Sequence, residues 1–124
     1  MNEAVRHCYD ALAASYHLVY ADWNASILRQ AAAIDAILNR ELNRKNVRVL
    51  DCACGIGTQA IGLAQRGHSV TGGDLSPAAI ERARSESSLR GLQIQLFVAD
   101  MLDLTRIPGH EFDAVLCLDN ALPI

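Results

Sequence analysis

The 124-residue sequence lacks the features that mark several protein classes. Its longest apolar run, AVLCL at 114–118, is far shorter than the ~20 residues of a membrane-spanning helix. The opening segment MNEAVRHCYD has an early acid and no apolar stretch, so no signal peptide is predicted. Lysine and arginine number 11 against 14 acids, which leaves no basic field for a nucleic-acid backbone. We therefore expect a cytoplasmic globular chain without membrane or nucleic-acid partners.

Cysteine is present, but its spacing is not that of a metal site. Cys52 and Cys54 are one residue apart, closer than zinc ligands usually stand, and no matching Cys/His pair follows them. Cys8 and Cys117 lie among apolar residues. We predict small buried thiols in a reduced protein and no metal, with a redox or metal role as the alternative.

Strand-like and helix-like runs alternate along the chain. Helices are predicted over about 3–19, 25–43 and 57–66, and from Ser76 to near Gly91. Short apolar strands are predicted at 47–51, 68–74, 94–98 and 112–118. This alternation predicts right-handed βαβ units and a parallel sheet, hence the α/β class. The fourth strand is apolar throughout, which is typical of a strand buried on both faces, but no helix is predicted after it to cover it.

Three acids follow the first three predicted strands. Asp51 ends the first strand, Asp74 ends the second, and Asp100 lies two residues beyond the third. Carboxyl ends of parallel strands share one edge of the sheet, where open α/β sheets bind ligands. Gly55 and Gly57 in the first turn allow close approach of the backbone to a ligand. An acid about 20 residues beyond such glycines is placed to accept both ribose hydroxyls.

Two nucleotide-like cofactors fit this pattern. The segment GIGTQA at 55–60 satisfies the G-x-G-x-x-G/A fingerprint of dinucleotide-binding enzymes, so a nicotinamide-dinucleotide oxidoreductase is one alternative. Asp51 would, however, stand close to a pyrophosphate with no adjacent Arg or Lys to compensate. A sulfonium and an ammonium group would be favoured by that acid, and Asp100 suits an adenine amino group. The residues therefore favour S-adenosylmethionine.

Four segments in order carry a family resemblance. VLDCACGIGT resembles the first motif of class I S-adenosylmethionine-dependent methyltransferases, VTGGDLS the second, VADMLDL the third and FDAVLCLDNAL the fourth. They fit in register across about 47–122. The resemblance implies a Rossmann-like three-layer sandwich with strand order 3-2-1-4 and two extra N-terminal helices. It also implies methyl transfer from S-adenosylmethionine to a small-molecule acceptor.

One departure points to a subgroup. Ala53 stands where the family usually has its first glycine, and D-x-A-C-G-x-G is similar to the glycine and sarcosine N-methyltransferases. That resemblance implies an amine nitrogen as acceptor, with Asn120 facing the substrate carboxylate. It implies these cofactor contacts: Tyr9, Arg29, Asp51, Ala53, Gly55, Gly57, Asp74, Leu75, Asp100, Met101 and Leu118. No catalytic residue is identified, since such transfer depends mainly on positioning and desolvation.

Simpler interpretations remain for two of these residues. Arg29 is alternatively a solvated surface charge, and Asp100 a loop acid. The expected domain runs over 1–124, with N-terminal helices at 1–46, an α/β core at 47–124 and truncation after the fourth strand. For this fragment we expect self-association through the edge of that strand and no turnover by itself. An inactive cofactor-binding fragment is therefore a further alternative.

Overall fold

The computed structural model describes residues 3–4, 23–100, 102–103 and 111–118. Most of the first predicted helix lies outside the described residues, as do Tyr9, Met101 and Asn120. The helices are α1 (Trp23–Leu42), α2 (Thr58–Gln65) and α3 (Pro77–Leu89). The strands are β1 (Arg48–Asp51), β2 (Ser69–Asp74), β3 (Gln95–Val98) and β4 (Ala114–Leu116).

The four strands form one parallel sheet in the order β3-β2-β1-β4. In the register, Val49 lies opposite Val70, and Asp51 lies opposite both Gly72 and Leu116. This arrangement confirms the Rossmann-like architecture and the predicted strand order. The two central strands, β1 and β2, therefore have a paired neighbour on each side.

The main core lies between the sheet and α1 and α2. Val49 and Val70 from the sheet cluster with Leu38 of α1 and Leu63 of α2. The two helices approach each other closely at Gly62, where an added Cβ would lie 2.6 Å from the Cβ of Ala31. A side chain at 62 would force the helices apart. This tight contact fixes α2, and with it the turn that leads into α2.

The opposite face of the sheet carries a second apolar cluster. Leu50, Cys52 and Ala99 are buried there, with partly buried aromatic and thiol side chains beside them. Val115 of β4 is 60% exposed, so one face of this strand is left uncovered within the described residues, as expected for a strand that no predicted helix covers. In the described part of the chain β4 pairs with β1 alone, which leaves its outer edge uncovered. No helix among these residues is long and apolar enough to cross a bilayer.

Helix starts follow the local sequence. Ser76 caps α3, because its Oγ accepts a hydrogen bond from the amide of Ala79 at 3.1 Å, and Pro77 occupies the first helical position. Gly67 follows α2 with a φ of 93°, in the left-handed region expected after a helix end. These features confirm the predicted boundaries. The short segments after β1 and β2 therefore lead directly into α2 and α3, which pack on the sheet.

A polar network closes the amino edge of the sheet. The buried ring of His68 accepts a hydrogen bond from the Val47 amide at Nδ1 (3.1 Å). The other ring nitrogen, Nε2, lies 2.6 Å from Asp35 Oδ1 and donates to it, since Nδ1 is already an acceptor. Arg66 donates to the second oxygen of Asp35 at 2.9 Å. The hydrogen bond from His68 lowers the pKa of Asp35 below its usual range, and Arg66 adds to that effect.

Candidate cofactor site

The three predicted acids gather at the carboxyl edge of neighbouring strands. Asp51 ends β1, Asp74 ends β2, and Asp100 lies just beyond β3. Asp51 is buried, with 1% of its surface exposed, whereas Asp74 and Asp100 are half-buried. Backbone hydrogen bonds hold this edge together, from the amide of Cys54 to Gly73 O and from that of Ala99 to Asp74 O, both at 2.9 Å. The topology therefore brings together acids that are far apart in sequence.

The turn between β1 and α2 requires its two glycines. Gly55 has a φ of 56° and Gly57 a φ of 99°, both in the left-handed region that disfavours side chains. An added Cβ at Gly57 would also lie 3.2 Å from Ile61 Cδ1. The Gly57 amide donates to Cys54 O at 2.9 Å, which closes the turn before α2 begins. We call residues 53–58 the glycine turn.

The Asp74 carboxylate connects the end of β2 to the glycine turn. Its Oδ2 accepts a hydrogen bond from the Gly55 amide at 2.8 Å, and its Oδ1 accepts one from the Ser76 amide at 3.0 Å. An ionised carboxylate can accept about four hydrogen bonds, so these two contacts do not exclude hydroxyl donors. The contact with Gly55 was not foreseen from the sequence. The sequence signal for this contact is an acid 19 residues after a glycine, and that spacing by itself indicates ribose recognition.

The electrostatics at this edge favour a cationic ligand. Burial raises the pKa of Cys52 to about 11, assisted by the neighbouring Cys117 and by the charge of Asp51. Burial also raises the pKa of Cys54 well above its ordinary value, and the charges of Asp51 and Asp74 add to that effect. Both thiols are buried and protonated near neutral pH, as the sequence predicted. The carboxylates therefore make the local field negative.

The remaining predicted residues near this edge have distinct placements. Ala53 in the glycine turn and Leu75 after β2 are half-buried, and Leu118 beyond β4 is 37% exposed. Asp100 accepts a hydrogen bond at Oδ1 from the Leu102 amide at 2.9 Å, so it also stabilises its own loop. These positions border the same sheet edge.

Arg29 is an exposed residue of α1. The buried face of α1 consists of Ser26, Ile27, Ala31 and Leu38. The predicted contacts of Arg29, Tyr9 and Met101 with the cofactor stay predictions, as does that of Asn120 with the substrate.

Trp23 is a contact of the glycine turn that sequence reasoning did not assign. Its indole Nε1 donates to Thr58 Oγ1 at 2.9 Å. The ring packs with Ile56 and Ala79, and the Arg90 guanidinium carbon lies 5.0 Å from its centroid. The sequence favours packing roles for Tyr9, Tyr16, Tyr20 and Trp23 as a set, with a ligand contact as a second role for one or two of them. The hydrogen-bond partner of Trp23, Thr58, lies 35 residues away, beyond the reach of any periodic pattern.

The residues at this edge fit S-adenosylmethionine. A carboxylate at the end of β2 matches a pair of ribose hydroxyls, and the left-handed glycines offer a backbone surface without a Cβ. The negative field matches a ligand that carries a sulfonium and an ammonium group. Fold and site together define a Rossmann-like domain with the residues of a nucleoside site.

Comparison with known proteins identifies the family. The model of the family described as "Methyltransferase domain" matches residues 49–124, more than half of the chain. The chain belongs to this family, the class I S-adenosylmethionine-dependent methyltransferases. The predicted family and cofactor are thereby confirmed, and the match favours them over a nicotinamide-dinucleotide oxidoreductase.

Individual relatives differ in their acceptors. A ubiquinone biosynthesis O-methyltransferase from Xanthomonas axonopodis is 34% identical over 82 residues, 66% of this chain and 34% of the relative. A glycine/sarcosine N-methyltransferase from Parasynechococcus marenigrum is 37% identical over 101 residues, 81% of this chain and 34% of the relative. The chain thus spans about a third of the length of these curated relatives.

A solved structure shows the same fold. An amino pentose methyltransferase from Micromonospora echinaspora, determined with bound S-adenosylmethionine, superposes with a TM-score of 0.66 at 30% identity. The match covers 87% of this chain and 41% of that one.

Proposed function

We propose that this chain binds S-adenosylmethionine at the carboxyl edge of β1, β2 and β3 and transfers its methyl group to a small-molecule acceptor. The observation that carries the proposal is the Asp74 carboxylate, half-exposed at the sheet edge and 2.8 Å from the Gly55 amide. This contact holds the Asp74 carboxylate beside the backbone of the glycine turn, which supports its proposed role as an acceptor for ribose hydroxyls. The family match supports the same assignment.

The roles proposed for single residues follow from charge and position. Asp74 accepts hydrogen bonds from the ribose hydroxyls, while the charge of Asp51 favours the cationic end of the cofactor. Asp100 accepts from the adenine amino group. Ala53, Leu75, Met101 and Leu118 line the site, and Tyr9 and Arg29 lie over it. When bound, S-adenosylmethionine supplies an electrophilic methyl group on a sulfonium, so the protein needs chiefly to orient the acceptor and exclude water.

The acceptor we propose is an amine nitrogen of a glycine-like or sarcosine-like molecule, with Asn120 contacting its carboxylate. The D-x-A-C-G-x-G form of the glycine turn and the glycine/sarcosine N-methyltransferase relative support this choice. An O-methyltransferase relative of similar identity makes a hydroxyl acceptor the natural comparison. A methyl-transfer assay with glycine, sarcosine and a catechol as separate acceptors distinguishes them.

The organisation we propose is one cofactor-binding domain over 1–124 in a cytoplasmic protein. Since the chain spans about a third of its curated relatives, we propose that it retains the cofactor site but turns over poorly by itself. The outer edge of β4, unpaired within the described residues, is the surface proposed for self-association. Light scattering after size-exclusion chromatography tests the last point, and a monomer at all concentrations contradicts it.

The test of cofactor binding is a calorimetric titration with S-adenosylhomocysteine. Asp74→Ala removes a charged acceptor whose hydrogen bonds contribute about 1.5–3 kcal/mol each, so affinity should fall at least about tenfold. Glu81→Ala is the matched control, because Glu81 is an exposed acid on α3. Its affinity should equal that of the wild type.

The opposite results are equally clear. An unchanged dissociation constant for Asp74→Ala would remove Asp74 from the site. Tight binding of NADH in place of S-adenosylhomocysteine would restore the dinucleotide interpretation. Loss of affinity in Glu81→Ala as well would show that removal of any nearby negative charge weakens binding, so the effect would not be specific to Asp74.

A further inference from the structure

We infer that Trp23 is a positioning residue that holds the glycine turn in the conformation required for cofactor binding. The inference rests on the proposed function and adds a residue outside the sheet edge to it. Trp23 acts through Thr58, which its indole N–H contacts at 2.9 Å. It begins α1, an element separate in sequence from every motif of the site.

Thr58 is where this contact reaches the turn. It is the first residue of α2 and directly follows Gly57, and only 5% of its surface is exposed. Gly57 occupies the N-cap position of α2 but has no side chain with which to cap the helix. The junction between turn and helix therefore depends on contacts from neighbouring elements. The hydrogen bond from Trp23 is such a contact.

The indole ring also contacts the turn on the other side of Gly57. Ile56, between the two left-handed glycines, is buried in a cluster with Ala79 of α3, and Trp23 packs against that cluster. Trp23 thus touches residues immediately before and after Gly57. A shift of the turn would have to break the indole hydrogen bond and open this apolar contact together.

The Arg90 side chain also contacts the indole ring of Trp23. The Arg90 guanidinium carbon lies 5.0 Å from the ring centroid, a cation–π distance. Arg90 is itself held by Glu86 Oε2 and by Asn24 Oδ1, each at 2.7 Å. These contacts join α1 to α3 and include no residue of the glycine turn. Arg90 therefore stabilises the packing of Trp23 without acting on the turn directly.

The experiment compares three single variants of the full chain by titration with S-adenosylhomocysteine. Trp23→Phe keeps an aromatic ring and removes the N–H donor, and Thr58→Val keeps the side-chain shape and removes the acceptor. Loss of one hydrogen bond should lower affinity about fivefold in each variant, and the double variant should be no weaker than either. Arg90→Met, the packing control, should lower the melting temperature and leave affinity within about twofold of the wild type.

Fluorescence gives a readout that a purely structural role would not move. Trp23 is the only tryptophan of the sequence, so emission excited selectively from tryptophan reports on the surroundings of this side chain. Saturating S-adenosylhomocysteine should shift the emission of the wild type, and Thr58→Val should lose most of that shift while remaining folded by circular dichroism.

Each result decides between the inference and the proposed function. Wild-type affinity in Trp23→Phe and Thr58→Val, with Asp74→Ala still impaired, would overturn the inference and leave the proposed function intact. An equal loss in Arg90→Met would also overturn it, because general packing would then explain the effect. A wild-type chain that binds no S-adenosylhomocysteine would overturn both.

Discussion

The two edges of the sheet use their acids differently. At the amino edge, Asp35 is held by Arg66 and His68, and Asp113 by the Arg48 amide and the Arg44 guanidinium. At the carboxyl edge, Asp74 accepts from the backbone amides of a turn with two left-handed glycines. Cation-paired acids close one end of the fold. At the carboxyl edge, Asp74 orders the backbone of the glycine turn, which is a surface suited to a ligand.

The largest loss of cofactor binding is expected from a side chain in the glycine turn. Gly55→Val forces a β-branched residue to a φ of 56°, and we expect it to abolish binding of S-adenosylhomocysteine. Circular dichroism should stay near that of the wild type, since Gly55 is not part of the apolar core that packs the helices on the sheet. A Gly55→Val chain that binds normally would show that the turn is not part of the site.

A change at the amino edge should lower the unfolding free energy and leave cofactor affinity unchanged. Asp35→Ala leaves the buried His68 Nε2–H without its acceptor, which should cost about 1–3 kcal/mol of unfolding free energy. Asp35→Asn, which keeps an oxygen in the same place, should recover part of the loss. Urea unfolding measures both variants. A reduced cofactor affinity in Asp35→Ala would contradict the separation of the two edges.

A smaller effect on the unfolding free energy is expected when the pH is lowered. The pKa values of Asp35 and Asp113 are lowered from 3.8 in the fold, the first chiefly by the His68 hydrogen bond and the second chiefly by the Arg48 amide. A lowered carboxyl pKa contributes stability that is present above the unfolded value and is lost as pH falls through the folded one. Unfolding free energy should therefore decline below about pH 4. The variant Asp35→Asn with Asp113→Asn should show a flatter profile, and an unchanged slope would contradict this assignment.

Much of the fold could be predicted because its signals are local. Ser76-Pro77 marks the start of α3, and the acid–glycine pattern around Asp51 and Gly55 marks the turn after β1. Contacts between distant side chains carry no such signal. The His68–Asp35 pair spans 33 residues and the Trp23–Thr58 pair 35, and no spacing rule connects them. Strand composition likewise does not show what covers a face, and Val115 of the apolar strand β4 is 60% exposed.

The hydrogen bond from Gly55 to Asp74 has a consequence for the thermodynamics of binding. Because the turn is ordered by a contact within the fold, its conformational entropy is lost during folding and not when a ligand arrives. Association should then proceed without a slow rearrangement of this turn, as in rigid-body recognition. Substitutions that loosen the turn would move that entropic cost from the folding reaction to the binding reaction. Their affinity loss would appear as a less favourable binding entropy, with the enthalpy little changed.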